Sequence, residues 1–345
     1  MLAVGLGQPA QAAGSKAAQG YNMVPAVNYA HLNRGINVDN IGMVTRYATY
    51  SSSDLATLQQ IGINFVRMPI DVSCVLVGVP MDYKSGVSAA ADVAKCVANL
   101  DFYIPQFEAA GFSVILSTFM GVSDVALGVP ASNDILTRAN VFLASRYAPQ
   151  YDPSRLYLEP YNEPRYAAAD WNNFVPQVIA AIRAYAPLNT IMIGPIQFNK
   201  PADLAYLNVA ADKNVIYVMH EYSPSTLTSE GAGAHVNPAY LYPKPVASTD
   251  NTEWTTARLK ADLQTGIDWA AAHKVHIILE EFGSTSLSDP TSRDNWIAAV
   301  KGFAVSNGVP WCFWAFDGRL YGLKPHPFGF DPELVKLLST TSTTP

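Results

Sequence analysis

Short apolar runs alternate with amphipathic stretches from residue 34 to residue 338. Runs such as Ile63-Asn-Phe-Val-Arg-Met-Pro-Ile70 are too continuously apolar to have one wet face, as expected of strands buried on both sides. The pattern predicts strands at Arg34–Val38, Ile63–Pro69, Ser113–Thr118, Arg155–Tyr161, Thr190–Gly194, Val215–His220, His276–Glu281 and Val309–Ala315. Helical periodicity is predicted at Ser53–Ile61, Ala91–Ala110, Asn133–Tyr147, Trp171–Tyr185, Ala202–Val209, Thr255–His273, Ser292–Asn307 and Pro332–Leu338. Strand and helix in strict alternation imply a parallel α/β fold. Eight of each favour a closed (β/α)8 TIM barrel over an open sheet, and no Gly-rich nucleotide loop follows the first strand. No linker or internal repeat divides the pattern, so residues 21–340 read as one domain.

Function in such a barrel gathers at the C-terminal ends of the strands. Strand two is predicted to end with Arg67, strand four with Asn162 and Glu163, strand six with His220 and Tyr222, strand seven with Glu281 and strand eight with Trp314. The two glutamates lie 118 positions apart (281 − 163) and end buried strands, which suggests two acids meeting across one pocket. Glycoside hydrolysis needs such a pair, a carboxylic acid for the leaving oxygen and a carboxylate beyond the anomeric carbon. Simpler roles exist for each residue. Glu163 suits a helix N-terminus, Glu281 a structural ion pair, Arg67 a charge capping the core, His220 a core histidine and Trp314 plain packing. Glu280 is as acidic as Glu281, and strand alternation places it on the opposite face. The connections Asp71–Ala90 and Ser223–Trp254 are long enough to wall a cleft at this mouth.

Composition narrows the partners. Charged residues make up only 14% of the chain and the net charge is −6, without clustered Lys and Arg. That excludes nucleic acid and permits a neutral polysaccharide. No apolar run reaches the length of a membrane span. Only His220 among the six histidines falls at a strand end, while His31, His235, His273, His276 and His326 are scattered, so neither a metal site nor a cofactor is expected. Ala10-Gln11-Ala12 fits the small-x-small pattern of a secretory cleavage site, so residues 1–20 read as a signal-peptide remnant or a disordered leader. A secreted or periplasmic monomer is expected. Cys74 and Cys96 are able to close one loop, and Cys312 reads as a buried thiol.

At the strand ends the chain resembles glycoside hydrolase family 5, of the clan of retaining barrel enzymes. The marks are Gly-Ile-Asn at 35–37, Asn-Phe-Val-Arg-Met-Pro at 64–69, Asn-Glu-Pro at 162–164, His-x-Tyr at 220–222, Glu-Phe-Gly at 281–283 and Trp314. The resemblance implies that Glu163 is the acid/base and Glu281 the nucleophile, that Arg67 lowers the nucleophile's pKa and that Tyr222 hydrogen-bonds to it. It also implies that Asn162 contacts the sugar 2-hydroxyl, His220 orients the acid and Trp314 stacks on a sugar ring. The substrate it implies is a β-linked glycan, of the endo-β-1,4-glucanase kind; β-mannan, exo-β-1,3-glucan, a glycolipid or a non-catalytic carbohydrate-binding barrel are alternatives. One departure stands out. The family's histidine at the end of strand three is missing from Val114-Ile-Leu-Ser-Thr-Phe-Met-Gly121, so contacts to the reacting sugar are expected to differ.

Overall fold

The structure, a computed structural model, describes residues 24–43, 50–81, 86–120, 124–228, 236–243, 254–318, 320–325 and 328–339. The expected leader at 1–20 and parts of both long connections lie outside them. Eight parallel strands close into a barrel in chain order: β1 (Arg34–Asn37), β2 (Phe65–Asp71), β3 (Ser113–Phe119), β4 (Leu156–Glu159), β5 (Ile191–Ile193), β6 (Val215–Glu221), β7 (His276–Phe282) and β8 (Trp311–Phe313). β8 returns to β1 with Gly35 opposite Cys312. The predicted (β/α)8 TIM barrel is the observed fold.

The outer ring holds helices Ser52–Gln60, Ala90–Ala109, Val129–Tyr147, Ala168–Arg183, Thr256–His273, Pro290–Ser306 and Pro332–Ser339. Their starts follow capping chemistry. Ser51 and Asp54 form a reciprocal capping box, and the side chains of Thr255 and Asp289 accept from Arg258 and Ser292 backbone N–H groups. Three expectations shift. β4 stops at Glu159 because Pro160 has no N–H for a ladder. β2 runs on to Asp71, so Arg67 sits mid-strand rather than at its end. The helix expected at Ala202–Val209 is a 3-10 turn over Pro201–Tyr206, entered from residues whose backbone is left-handed.

Inside the barrel the side chains fall into two layers. At the base Phe65, Ile115, Tyr157, Met192, Ile216, Val218, Ile278 and Cys312 form an apolar cluster, and Tyr29 and Leu32 close it from below. Tyr29 donates to the Ile277 carbonyl at 2.8 Å, and Tyr157 donates to the Asn28 carbonyl at 2.5 Å. Gly35 is required here, because a Cβ would lie 2.2 Å from the Phe65 ring. Above this plug Asn37, Arg67, Ser117, Glu159, His220 and Glu280 are all buried. The barrel thus carries a polar, ionised storey on an apolar floor.

Cys74 and Cys96 form a disulfide with Cα atoms 5.2 Å apart, tying the turn after β2 to helix Ala90–Ala109. Cys312 is free and buried, as the sequence implies. Cross-linking a loop with a sequence separation of 22 restricts the unfolded chain by roughly 3 kcal/mol at most. Replacing both Cys74 and Cys96 with Ala is expected to lower the unfolding free energy by up to about that amount. Urea denaturation of the double variant checks it. A thiol titration of the unfolded, unreduced protein should find Cys312 alone; three reactive thiols would contradict the bridge.

Candidate active site

The polar storey is organised by Arg67, which is fully buried and uses every N–H donor of its guanidinium. Nε donates to Glu159 Oε2 at 2.9 Å. Nη1 donates to Asn37 Oδ1 at 2.9 Å and to Glu281 Oε1 at 2.5 Å. Nη2 donates to Ser117 Oγ at 2.9 Å and to Asn162 Oδ1 at 2.6 Å. Glu280 Oε1 lies 3.3 Å from Nε. One cation on β2 therefore joins side chains from β1, β3, β4 and β7 and from the segment after β4.

That segment carries Glu163 in a left-handed conformation, φ 51°, which is costly for a non-glycine residue. Its surroundings hold it there. The Asn162 N–H donates to the Thr118 carbonyl, Asn140 Nδ2 to the Pro160 carbonyl and the Gln197 N–H to the Pro164 carbonyl. The next helix begins at Ala168, so Glu163 is not a helix N-terminal charge. Its Oε1 is 2.8 Å from His220 Nδ1. Strain at a mostly buried carboxylate, fixed by bonds from three other elements, marks a site rather than a defect.

β7 departs from simple alternation. Met219 pairs with Leu279 and His220 with Glu281, so Glu280 is an extra residue in the ladder. This irregularity lets consecutive glutamates both reach Arg67, although plain alternation would set them on opposite faces, and it leaves Glu280 paired with a cation of the barrel. Glu281 is the one at the mouth. Its Oε2 accepts from the Tyr222 hydroxyl at 3.0 Å and lies 3.7 Å from His220 Nδ1. Glu280 lies below, with Oε2 3.8 Å from His220 Nε2. Trp314, half-buried just past β8, donates its N–H to the Phe282 carbonyl, and Gly283 leaves room for the Trp314 carbonyl, which a Cβ would meet at 2.3 Å.

Burial and charge set the protonation of this cluster. Burial opposes a charged Glu159, but Arg67 outweighs it and holds the carboxyl below its ordinary value. Burial, with Glu159 adding to it, pushes Glu280 up to about 7 against the pull of Arg67. Burial also raises Glu281, opposed by His220 and Arg67. Arg67 does favour the charged Glu281 as expected, yet desolvation is the larger effect. For His220 burial disfavours the cation, but Glu281, Glu163 and Glu280 overcome it and push the imidazole up to about 10.

All the residues expected at the site except Trp314 are joined through Arg67 and His220. Arg67 occupies the amide oxygen of Asn162. Glu159 and Asn199 belong to the site and were not anticipated. A carboxylate inside the apolar run Leu156-Tyr-Leu-Glu159 is the signal for the first; no local signal marks the second. One ligand atom each of Glu163, His220 and Glu281 lies within 4.8 Å of the others. These atoms are already committed, His220 Nδ1 to Glu163 and Glu281 to Arg67 and Tyr222. The arrangement is that of two carboxylates opposed across a gap, one paired to an imidazole and the other to a guanidinium.

The model of the family described as cellulase (glycosyl hydrolase family 5) matches residues 30–319. Endoglucanase 3 of Fibrobacter succinogenes is 28% identical over 213 residues, 51% of this chain and 32% of that protein. The chain thus spans about a third of the length of the curated relative it matches. Among solved structures, subunit Z of the Clostridioides difficile cellulose synthase superposes with a TM-score of 0.74 at 22% identity, covering 89% of this chain and 99% of that one. An endoglucanase of the hyperthermophilic Thermotoga maritima superposes at 0.75 with 20% identity, covering 90% and 98%.

Glu280 generates a pH test. In the fold it keeps its proton up to about pH 7, whereas an unperturbed glutamate loses it near 4.5. Between those values the native state binds more protons than the unfolded chain, so this group makes stability fall as pH rises. Glu280→Gln should remove that component, gaining on the parent by up to about 3 kcal/mol between pH 4.5 and 8. Urea denaturation of both proteins across this range reads the difference; parallel curves would contradict it.

Proposed function

The chain belongs to glycosyl hydrolase family 5, and from that premise we propose that it cleaves internal β-1,4 bonds of a glucan with retention of anomeric configuration. The observation that carries the mechanism is the approach of Glu163 and Glu281, each with an oxygen within 4.8 Å of the other. Retaining enzymes hold their carboxyl groups about 5–5.5 Å apart, while inverting enzymes leave about 6.5–9.5 Å for a water.

In this reading Glu281 attacks the anomeric carbon as Glu163 delivers a proton to the leaving glycosidic oxygen. The first half-reaction leaves a glycosyl ester on Glu281 and releases the leaving sugar as an alcohol. Arg67 and Tyr222 hold one oxygen each of Glu281, which supports a fixed line of attack. Burial also makes Glu281 a stronger base, and hence a better nucleophile, than a solvated carboxylate.

Ester formation then removes one negative charge from beside His220 and Glu163. Glu163 then serves as the base of the second half-reaction. It takes a proton from water, the water attacks the anomeric carbon, and the ester bond breaks with both electrons returning to Glu281. The Asn162 amide supports the sugar 2-hydroxyl, and Trp314 offers a ring face to a sugar. The Cys74–Cys96 disulfide supports work outside the reducing cytosol, as a secreted or periplasmic enzyme.

Two measurements test the reading. On carboxymethyl-cellulose, viscosity should fall well ahead of reducing-end release, with β-mannan run in parallel as the competing substrate; release confined to monosaccharide glycosides would overturn the internal-cleavage model. Glu281→Gln should abolish turnover. Glu163→Ala should lose on the order of 10²–10⁴-fold on glucan but form its ester normally from an aryl glycoside with a good leaving group. Azide should then rescue the second step. Equal loss on both substrates without azide response would remove Glu163 from the acid/base role.

A further inference from the structure

We propose that Asn199 is a positioning residue for the acid/base: its amide oxygen accepts the Nε2 proton of His220 and fixes the imidazolium whose Nδ1–H is held by Glu163. The inference rests on the reading of Glu163 given above, and extends it to a buried amide behind His220.

Asn199 is fully buried, and its amide lies against the imidazole edge remote from Glu163, with Nδ2 3.3 Å from His220 Nε2. Its Oδ1 has no hydrogen-bond partner. A half-turn of an amide exchanges oxygen and nitrogen without changing its shape. The surroundings decide which atom belongs at Nε2. Glu163 meets His220 Nδ1 at 2.8 Å, Glu281 approaches Nδ1 at 3.7 Å and Glu280 approaches Nε2 at 3.8 Å. Glu159 adds its field from β4, Tyr222 binds the far side of Glu281, and Arg67 is the opposing cation. A ring among these carboxylates carries protons on both nitrogens, consistent with a pKa pushed up to about 10. An NH2 group facing Nε2–H would set donor against donor. The unpartnered amide oxygen is the complementary group.

The backbone supports a built device. Gln197, Phe198 and Asn199 are left-handed in succession, with φ of 58°, 67° and 56°, a run that costs about 1–2 kcal/mol per residue for ordinary side chains. Two bonds hold it. The Gln197 N–H donates to the Pro164 carbonyl at 2.8 Å, and the Trp171 indole donates to the Gly194 carbonyl at 2.9 Å. Pro164 follows Glu163 directly, so one strained segment grips both the acid/base loop and its histidine. Gly194 makes the approach possible, since a Cβ there would lie 2.1 Å from Asn199 Oδ1.

The test reads the His220 ring nitrogens by ¹⁵N NMR in the full chain without substrate, the signals being assigned by their loss in His220→Gln. In the parent both nitrogens should be protonated at pH 7. Asn199→Gly keeps the left-handed backbone and removes the amide; the titration midpoint should fall by about one pH unit. Asn199→Asp offers a carboxylate of the same shape, and the midpoint should equal or exceed the parent's. A neutral His220 at pH 7 in the parent would overturn the proposal, as would an unchanged or raised midpoint in Asn199→Gly. Should the glycine variant not fold, a lowered midpoint in Asn199→Asp would overturn it equally. Failure to cleave any glycan would instead strike the functional reading and leave this measurement standing.

Discussion

The structure depends on one buried guanidinium. Arg67 sits on the apolar floor of the barrel and faces Glu159, Glu280 and Glu281, all of them buried. A buried charge is tolerated only when paired and hydrogen-bonded, and each carboxylate here has the same need. The mutual requirement sets the geometry. Asn37, Ser117 and Asn162 take the donors that carboxylates leave, so the planar fork cannot rotate without orphaning a bond. A lysine would supply the charge and lose the fork. The position of Glu281 is therefore inherited from a network that spans half the strands of the barrel.

The two opposed carboxylates are held by different means. Glu281 is placed by the barrel wall, through Arg67 and the extra residue in β7. Glu163 is placed by a strained loop, through Thr118, Asn140 and Gln197. A group fixed in the wall suits covalent attack along one line. In the proposed mechanism, a partly accessible group on a loop, hydrogen-bonded to an imidazole, suits exchange of protons with a leaving group and then with water. His220 links the two, since its Nδ1 reaches both carboxylates.

Much of this was legible in the sequence because it follows from local pattern. Eight apolar strands with interleaved helices announced the barrel, and polar residues at predicted strand ends located its mouth. What stayed hidden comes from register and from long-range packing. Alternation set Glu280 and Glu281 on opposite faces, and one irregularity in the ladder between β6 and β7 lets both reach Arg67. Arg67 read as a strand terminus, yet β2 pairs on through Asp71 alongside β3. Asn199 was invisible because it lay in the connection between the strand read at Thr190–Gly194 and the helix read at Ala202–Val209. Its left-handed backbone follows from contacts with Gly194, Pro164 and His220, none of which is local enough to leave a pattern.

The absent histidine on β3 becomes intelligible in this light. Where a histidine is expected, the strand ends in Ser117, Thr118 and Phe119. Ser117 serves Arg67, while Thr118 hydrogen-bonds Asn140 and lends its carbonyl to the Asn162 N–H. Each of these roles is second-hand, acting on a side chain or loop that acts in turn at the mouth. β3 here contributes support and no titratable group. The protonation of the site is thus governed by the carboxylates of β4 and β7 against Arg67 on β2 and His220 on β6. Phe119, partly exposed at the end of β3, stands where an imidazole was expected.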